Sequence, residues 1–420
     1  MNQDARLTKL LCKLSECTSF YQGTLPLCAA ENIISDFCKI PLTGDFQERY
    51  IMGSPYNYNI EDNFIGSQML LPFYTMIHEE CKILFGSRYA DARTLTGMNC
   101  LTTLLMSLTN LHDRIAILPA VWGGHPSVQS VCERLGLHIY ELPYEQSKWD
   151  INYDKTNELI HREKIKYILL APSDIIHPLE VEALDLENCV LLYDVSQMMG
   201  LMAGGVISCP INLKNTVLFG GTHKTLPGPA SGLIMTNDEE LHCQMERNIN
   251  PRFLRHTQMH QVISLLFALF ENEYYGKEYA KAVVNTSNDL GCCLEQRGFH
   301  LAKTEVGYSE THQLFIICEP EVMTCMNKNA LRFGVTLNKK EKPLFSNTGI
   351  RLGTQEIARY GWSGQTLSLI SDILAELRQE SPNSEKVYQL KRNLPPKKIQ
   401  YTFPLNIQRE VSSALHQKQI

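Results

Sequence analysis

The segment FGGTHKTLPGPASG (Phe219–Gly232) decides how the rest of the chain is read. It carries a single lysine, Lys224, flanked by Thr222-His223 and Thr225 and surrounded by glycine and proline. Strand-like apolar runs, TVLFGG and ASGLIMTN, border it on both sides. Glycine and proline break regular structure and set tight turns. The pattern is a loop at the end of a buried strand, holding one cation.

Working outward, the middle of the chain repeats the same theme. RIAILPA, LHIYELP, KYILLAPS and CVLLYDV are short β-rich runs separated by segments long enough for helices. Continuous apolar runs of this length fit strands buried on both faces. Strands alternating with helical segments give a mostly parallel sheet in an α/β domain. Helical spacing predicts helices over 70–85, stopping at Gly86, over 97–111, and over a long stretch from about 256 to 297. Beyond Gly298 the pattern becomes HQLFIICEP (strand), VMTCMNKNALRF (helix), GIRLGTQE (strand or turn) and QTLSLISDILAELRQ (amphipathic helix). This is a smaller α+β domain. The expected division is an N-terminal arm (1–50), a large domain (51–297), a small C-terminal domain (298–380) and a polar extension (381–420).

Composition narrows the function. The chain has 420 residues, 44% hydrophobic, with a formal net charge of -6. That is enough for a large core with a satellite domain, and it gives no electrostatic footprint for nucleic acid or a membrane surface. The densest basic run, KRNLPPKK (Lys391–Lys398), reads as a solvated tail segment. No apolar stretch reaches the roughly 18 residues of a membrane span, and MNQDARLTKLLCKL lacks a signal-peptide core. The fourteen cysteines are scattered with no C-x-x-C pair, which argues for a cytosolic protein with reduced thiols and against zinc.

Ligands of such sheets sit outside the carboxyl ends of the strands. There the sequence places Trp122-Gly123-Gly124-His125, Ser173-Asp174, Asp194, and Thr222-His223-Lys224. Singly, a lysine after a strand is a solvated loop residue and an aspartate there is a helix cap. Together they suit pyridoxal phosphate. A lysine amine forms a Schiff base once neutral, and burial lowers its pKa. Asp194 beside the pyridine nitrogen keeps that nitrogen protonated, making the ring an electron sink. His125 is placed to lie against a ring face. A helix start at LTGMNC, with Thr96, Gly97 and Met98, offers backbone N–H groups to the phosphate.

These residues resemble the serine hydroxymethyltransferase family of pyridoxal-phosphate enzymes, of the aspartate aminotransferase fold (fold type I), over roughly 25–375. THKTLPGPASGLI is similar to the family's lysine motif, CAAENI to its S-E-N segment, and Gly123–His125 to its ring-stacking histidine. YDVSQMMGLMAGGV and TGIRLGTQEIARYGW match its aspartate and arginine segments. The resemblance implies an α/β large domain with a mostly parallel seven-stranded sheet and a small α+β domain. It implies Lys224, Asp194 and His125 as catalytic residues. Thr96, Gly97, Met98, Ser173, Gln197, Thr222 and His223 would complete the cofactor site, Ser173 near the ring hydroxyl. Arg351, Glu31 and Tyr58 would bind substrate, Arg351 taking the α-carboxylate through two parallel hydrogen bonds. It also implies at least a homodimer with shared active sites, and no metal.

The chain departs from the family where folate and hydroxymethyl groups are handled. Met52 replaces a catalytic glutamate and cannot transfer a proton. Phe64 stands for a tyrosine, with Tyr56 or Tyr58 as substitutes. Gln197, Met98 and Ala230 replace a histidine, a serine and an arginine. NPRFLRHTQ replaces a glycine-rich loop, with Arg252 or Arg255 available for a neighbouring subunit's phosphate. The expectation is a divergent enzyme acting at Cα of a small amino acid of the glycine, serine or threonine type, making or breaking a Cα–Cβ bond as an aldolase, transaldolase or hydroxymethyltransferase-like enzyme rather than the folate-dependent housekeeping one. The alternatives are an aminotransferase or decarboxylase of a bulkier amino acid, or a non-catalytic cofactor-binding protein.

Overall fold

In a computed structural model of the chain, residues 3–51 and 64–415 are described. A seven-stranded sheet forms from β1 (Tyr89–Asp91), β2 (Arg114–Ile117), β3 (His138–Glu141), β4 (Tyr167–Leu170), β5 (Val190–Asp194), β6 (Thr216–Gly221) and β7 (Gly232–Thr236). The spatial order is β1-β7-β6-β5-β4-β2-β3. The pairs from β6 to β3 are parallel, and β7 alone runs against its neighbours. The mostly parallel α/β sheet expected from the apolar runs is therefore present, with all the expected strands and one unforeseen edge, β1.

The strands are apolar along their length because both faces are covered. In β6, Leu218 faces one core with Leu191, Leu170 and Ala116, while Val217 and Phe219 face the other with Leu192, Leu169 and Ile117. The first core is closed by α2 (Ser67–Phe85) and α4 (Met259–Glu295), the second by α3 (Gly97–Leu108). α2 ends where expected, at Gly86, whose φ of 72° permits the left-handed cap. α3 starts at an N-cap, Thr96, which accepts from the Asn99 N–H.

A second sheet comprises β8 (His300–Leu301), β9 (Gln313–Ile317), β10 (Asn338–Lys342) and β11 (Asn347–Gly353), in order β8-β9-β11-β10 and antiparallel throughout. It packs on α5 (Pro320–Phe333) and α6 (Gln365–Leu377) around Leu314, Ile316, Ile350 and Leu352. β10 reads NKKEK and was not foreseen.

The arm begins with a helix, α1 (Gln3–Gly23). Residues 25–26 then pair in parallel with Val335–Thr336. Leu27 O accepts from the Gly353 N–H at 2.8 Å, and Gln355 Nε2 donates to Cys28 O at 2.7 Å. The extension is more ordered than its polarity suggested, with helices Ser384–Arg392 and Leu405–Leu415. Its lysines are not simply solvated. Lys391 donates to the carbonyls of Phe333 and Gly334 at the C-terminus of α5, where a cation meets the negative helix end. Lys397 donates to Tyr21 O at 3.0 Å. No described helix is long and apolar enough to cross a membrane.

Candidate active site

Four adjacent strands, β6, β5, β4 and β2, deliver their C-terminal loops to one edge of the sheet. The loop after β6 holds Lys224. It is closed by Thr222, whose hydroxyl donates to Pro229 O at 2.7 Å, and by Thr225, whose hydroxyl donates to Gln197 O at 3.0 Å. Among the described residues the Lys224 amine makes no hydrogen bond or ion pair. Burial lowers its pKa; the Asp194 charge opposes this and Arg351 reinforces it. The neutral, nucleophilic form is thereby favoured.

Asp194 ends β5, one strand away. Its Oδ1 accepts from the N–H of Ser196 at 2.8 Å and from the Ser196 hydroxyl. Ser196 Oγ in turn accepts from the Gly221 N–H at 2.8 Å, tying the aspartate to the lysine strand. Oδ2 has no hydrogen bond among the described residues. His125 follows Gly123 and Gly124. A Cβ on Gly124 would stand 2.0 Å from Leu118 O, so only glycine fits. Gly123, at φ 100°, offers its carbonyl to the N–H groups of Ser173 (2.7 Å) and Asp174 (3.1 Å). That pair of bonds fixes the histidine loop to the β4 loop. Burial lowers the His125 pKa despite the nearby Asp194 charge.

The start of α3 lies against the same edge: a Cβ on Gly97 would stand 2.8 Å from Gly221 N. Met98 packs partly into the core. His223 is pushed down to about 4 by burial, and its Nδ1 has no partner among the described residues.

The second sheet contributes Arg351 from β11, 4% exposed. Its Nη1 donates to Ser173 O at 2.7 Å and to Asp174 Oδ1 at 2.8 Å; Nη2 and Nε donate to Asn338 Oδ1 at 2.8 and 3.2 Å. Among the described residues, these bonds use four of the five guanidinium N–H groups. Docking a carboxylate through two parallel bonds therefore requires Asn338 or Asp174 to release the arginine.

The remaining expected residues each have their own surroundings. Gln197 turns its Oε1 to Gln313 Nε2 at 3.0 Å, a structural contact. The Thr222 hydroxyl is spent within its own loop. Glu31 is exposed, its carbonyl held by Gln355. Ala230, Arg252 and Arg255 are exposed too. Phe64 stacks on Tyr50, with ring centroids 4.4 Å apart. Met52, Tyr56 and Tyr58 lie outside the described residues. Asn32, between the arm and the lysine loop, donates to both Lys224 O and Tyr279 Oη. Reading from sequence passed over Asp174's partners Lys340 and Lys342, because β10 looks like a solvated charge run.

The donor set fits pyridoxal phosphate: an unpaired amine biased to neutrality, a carboxylate with a free oxygen one strand away, an orphaned imidazole nitrogen, and a capped helix start. The fold itself is that of the fold type I pyridoxal-phosphate enzymes. It superposes with a TM-score of 0.90 on L-threonine transaldolase from Pseudomonas fluorescens, at 22% identity, covering 99% of this chain and 98% of that one. The chain belongs to the serine hydroxymethyltransferase family, whose model matches residues 3–374. Similar relatives include the serine hydroxymethyltransferases of Sulfolobus acidocaldarius, 27% identical over 87% of this chain and 86% of that protein, and of Picrophilus torridus, 28% identical over 87% of each. It is thus a pyridoxal-phosphate-dependent enzyme of the kind that makes or breaks a bond at Cα.

Proposed function

We propose that the chain is an aldolase or transaldolase that joins a glycine-type Cα to an aldehyde, or cleaves a threonine-type donor, without folate. The observation that carries this reading is Lys224: an amine with no hydrogen bond among the described residues and a lowered pKa, within the fields of Asp194 and Arg351. Bound pyridoxal phosphate supplies the electron sink that takes up the pair left at Cα. Asp194 Oδ2 holds the proton on the pyridine nitrogen. Lys224 holds the cofactor and moves the Cα proton. His125, biased to neutral, would pack against the ring; its Nδ1 accepts from the Ser127 N–H at 3.3 Å, which leaves the ring proton on Nε2 as a donor toward the reactants. Arg351 would orient the α-carboxylate and so help select which Cα bond breaks. Thr96, Gly97 and Met98 offer N–H groups at the helix start to the phosphate, and His223 completes that wall. Methionine at 52, where the family carries a glutamate, supports the loss of folate chemistry.

The enzyme works as a cytosolic homodimer in this reading. None of its fourteen cysteines is paired, which supports a reducing compartment. α1 presents Leu7, Leu10, Leu11 and Leu14, each at least half exposed, which supports burial against a second copy.

The test is a visible-absorbance screen of purified holoenzyme against glycine, threonine and larger amino acids, with Lys224→Ala beside it. A spectral response to glycine and aldehyde release from threonine, both absent in the variant, are expected. Keto-acid or carbon dioxide release instead would redirect the reading to an aminotransferase or decarboxylase. Bound cofactor with no response to any amino acid would overturn it in favour of a non-catalytic protein.

A further inference from the structure

The cleft carries more positive charge than that reaction uses. β10 alternates in burial, with Asn338, Lys340 and Lys342 turned inward and Lys339 and Glu341 outward. The outward pair neutralise each other at 3.1 Å. Inward, Lys340 Nζ lies 2.7 Å from Asp174 Oδ1, Lys342 Nζ pairs with Oδ2, and Arg351 Nη1 lies 2.8 Å from Oδ1. One fully buried carboxylate therefore faces three cations, and the two lysine side chains are each only 16% exposed.

Charge counting shows what is missing. Asp174 offsets one cation, and the α-carboxylate assigned to Arg351 offsets a second. One positive charge remains in a poorly solvated place, where an unpaired charge is strongly disfavoured. Lys342 has a further anchor, the Ala120 carbonyl at 3.0 Å. Lys340 has none among the described residues. Burial and the Arg351 charge push its pKa down to about 8, and it shares Asp174 Oδ1 with Arg351, the residue assigned to the α-carboxylate.

We infer that one reactant of this site carries a second anionic group, a carboxylate or phosphate, and that Lys340 receives it. This rests on the proposed function, which assigns Arg351 to the α-carboxylate. The group belongs either to the aldehyde or to the amino acid's side chain. If it is on the aldehyde, the cleavage direction runs as follows. The Cα–Cβ bond of a β-hydroxy amino acid breaks, the hydroxyl proton leaves to a base, Cβ becomes the anionic aldehyde, and the electron pair stays on Cα until a proton replaces it. The products are glycine and, for example, glyoxylate.

The experiment compares holoenzyme with Lys340→Met and Lys340→Arg. In the acceptor arm, glycine is paired with glyoxylate, glycolaldehyde phosphate or acetaldehyde. In the donor arm, aspartate and phosphoserine are compared with alanine and serine by absorbance. Calorimetric titration with succinate and with acetate gives a binding readout independent of turnover. A charge-assisted contact of this kind is expected to favour the anionic reactant at least about tenfold in one arm. Lys340→Met should erase that preference through KM and weaken succinate but not acetate, and Lys340→Arg should restore it. Inward-pointing charges on an edge strand also block unwanted strand pairing. If that is their role, the methionine variant affects neutral and anionic reactants alike and leaves succinate binding unchanged, which overturns the inference. If glycine evokes no spectral response in the wild type, the proposed function fails instead, and the succinate titration still decides the role of Lys340.

Discussion

Asp174 shows how much one side chain governs at this edge. Burial alone would raise its pKa, but the charges of Arg351, Lys340 and Lys342 outweigh burial and hold it below the ordinary carboxylate range. It remains an anion in the cleft. Removing one member of a buried ionic cluster leaves its partners desolvated and unpaired, at a cost of about 3–5 kcal/mol. Asp174→Ala should therefore lower the urea midpoint markedly, whereas Lys339→Ala, on the exposed side of the same strand, should shift it little. The residues with a chemical signature were legible in sequence. Lys224 stands alone in a glycine- and proline-rich loop, Asp194 ends an apolar run, and Arg351 lies in a strand beyond. The Asp174 cluster was not legible, because it joins two sheets whose members lie 177 positions apart. Nothing local marks a lysine in NKKEK as facing inward. Gln197 and Thr222 bond Gln313 and Pro229 for a related reason: a motif fixes position along the chain, while neighbours distant in sequence decide what the side chain bonds.

At the scale of elements, the loops matter more than the strands they end. Gly123 and Gly124 form a turn in which one carbonyl receives two N–H groups from the β4 loop and the backbone passes within 2.0 Å of where a Cβ would stand. Gly124→Ala forces that backbone to move, a form of overpacking that costs about 1–3 kcal/mol. Because His125 is the next residue, cofactor affinity should fall further than stability does, with equilibrium titration of pyridoxal phosphate and thermal unfolding separating the two. The strands of the large sheet were readable because each is buried on both faces and so is apolar throughout. β1, three residues long, and β10, charged at alternate positions, gave no such signal. The helices of the extension gave little signal because their apolar residues are few; Ser384–Arg392 packs on α6 and Phe333, and Leu405–Leu415 on Phe37, hundreds of positions earlier.

At the scale of the whole molecule, two histidines set the acid limit. His312 is fully buried and pushed down to about 3 by burial, with its Nε2 bonded to Ala29 O at 3.0 Å; His223 is pushed down to about 4. In the unfolded chain both titrate near 6.5. Below that pH the unfolded chain binds protons that the folded rings refuse, so stability is full above about pH 6.5 and falls as the pH drops toward 4. The slope is about 1.4 kcal/mol per pH unit for each ring. His312→Gln keeps a donor for Ala29 and does not titrate, so its unfolding midpoint should depend less steeply on pH between 6 and 4 than that of the wild type.

The pairing of residues 25–26 with Val335–Thr336 also dictates an order of events during synthesis. The ribosome emits residues 25–26 long before their partners, which follow about three hundred residues later. Cys28 and Leu27 must wait for Gln355 and Gly353, and Asn32, which braces the lysine loop, is carried on that same segment. The large sheet has every strand it needs before then. The nascent chain thus holds a nearly finished layer with its cofactor cleft unbraced, and the brace closes only once residues 335–355 have followed.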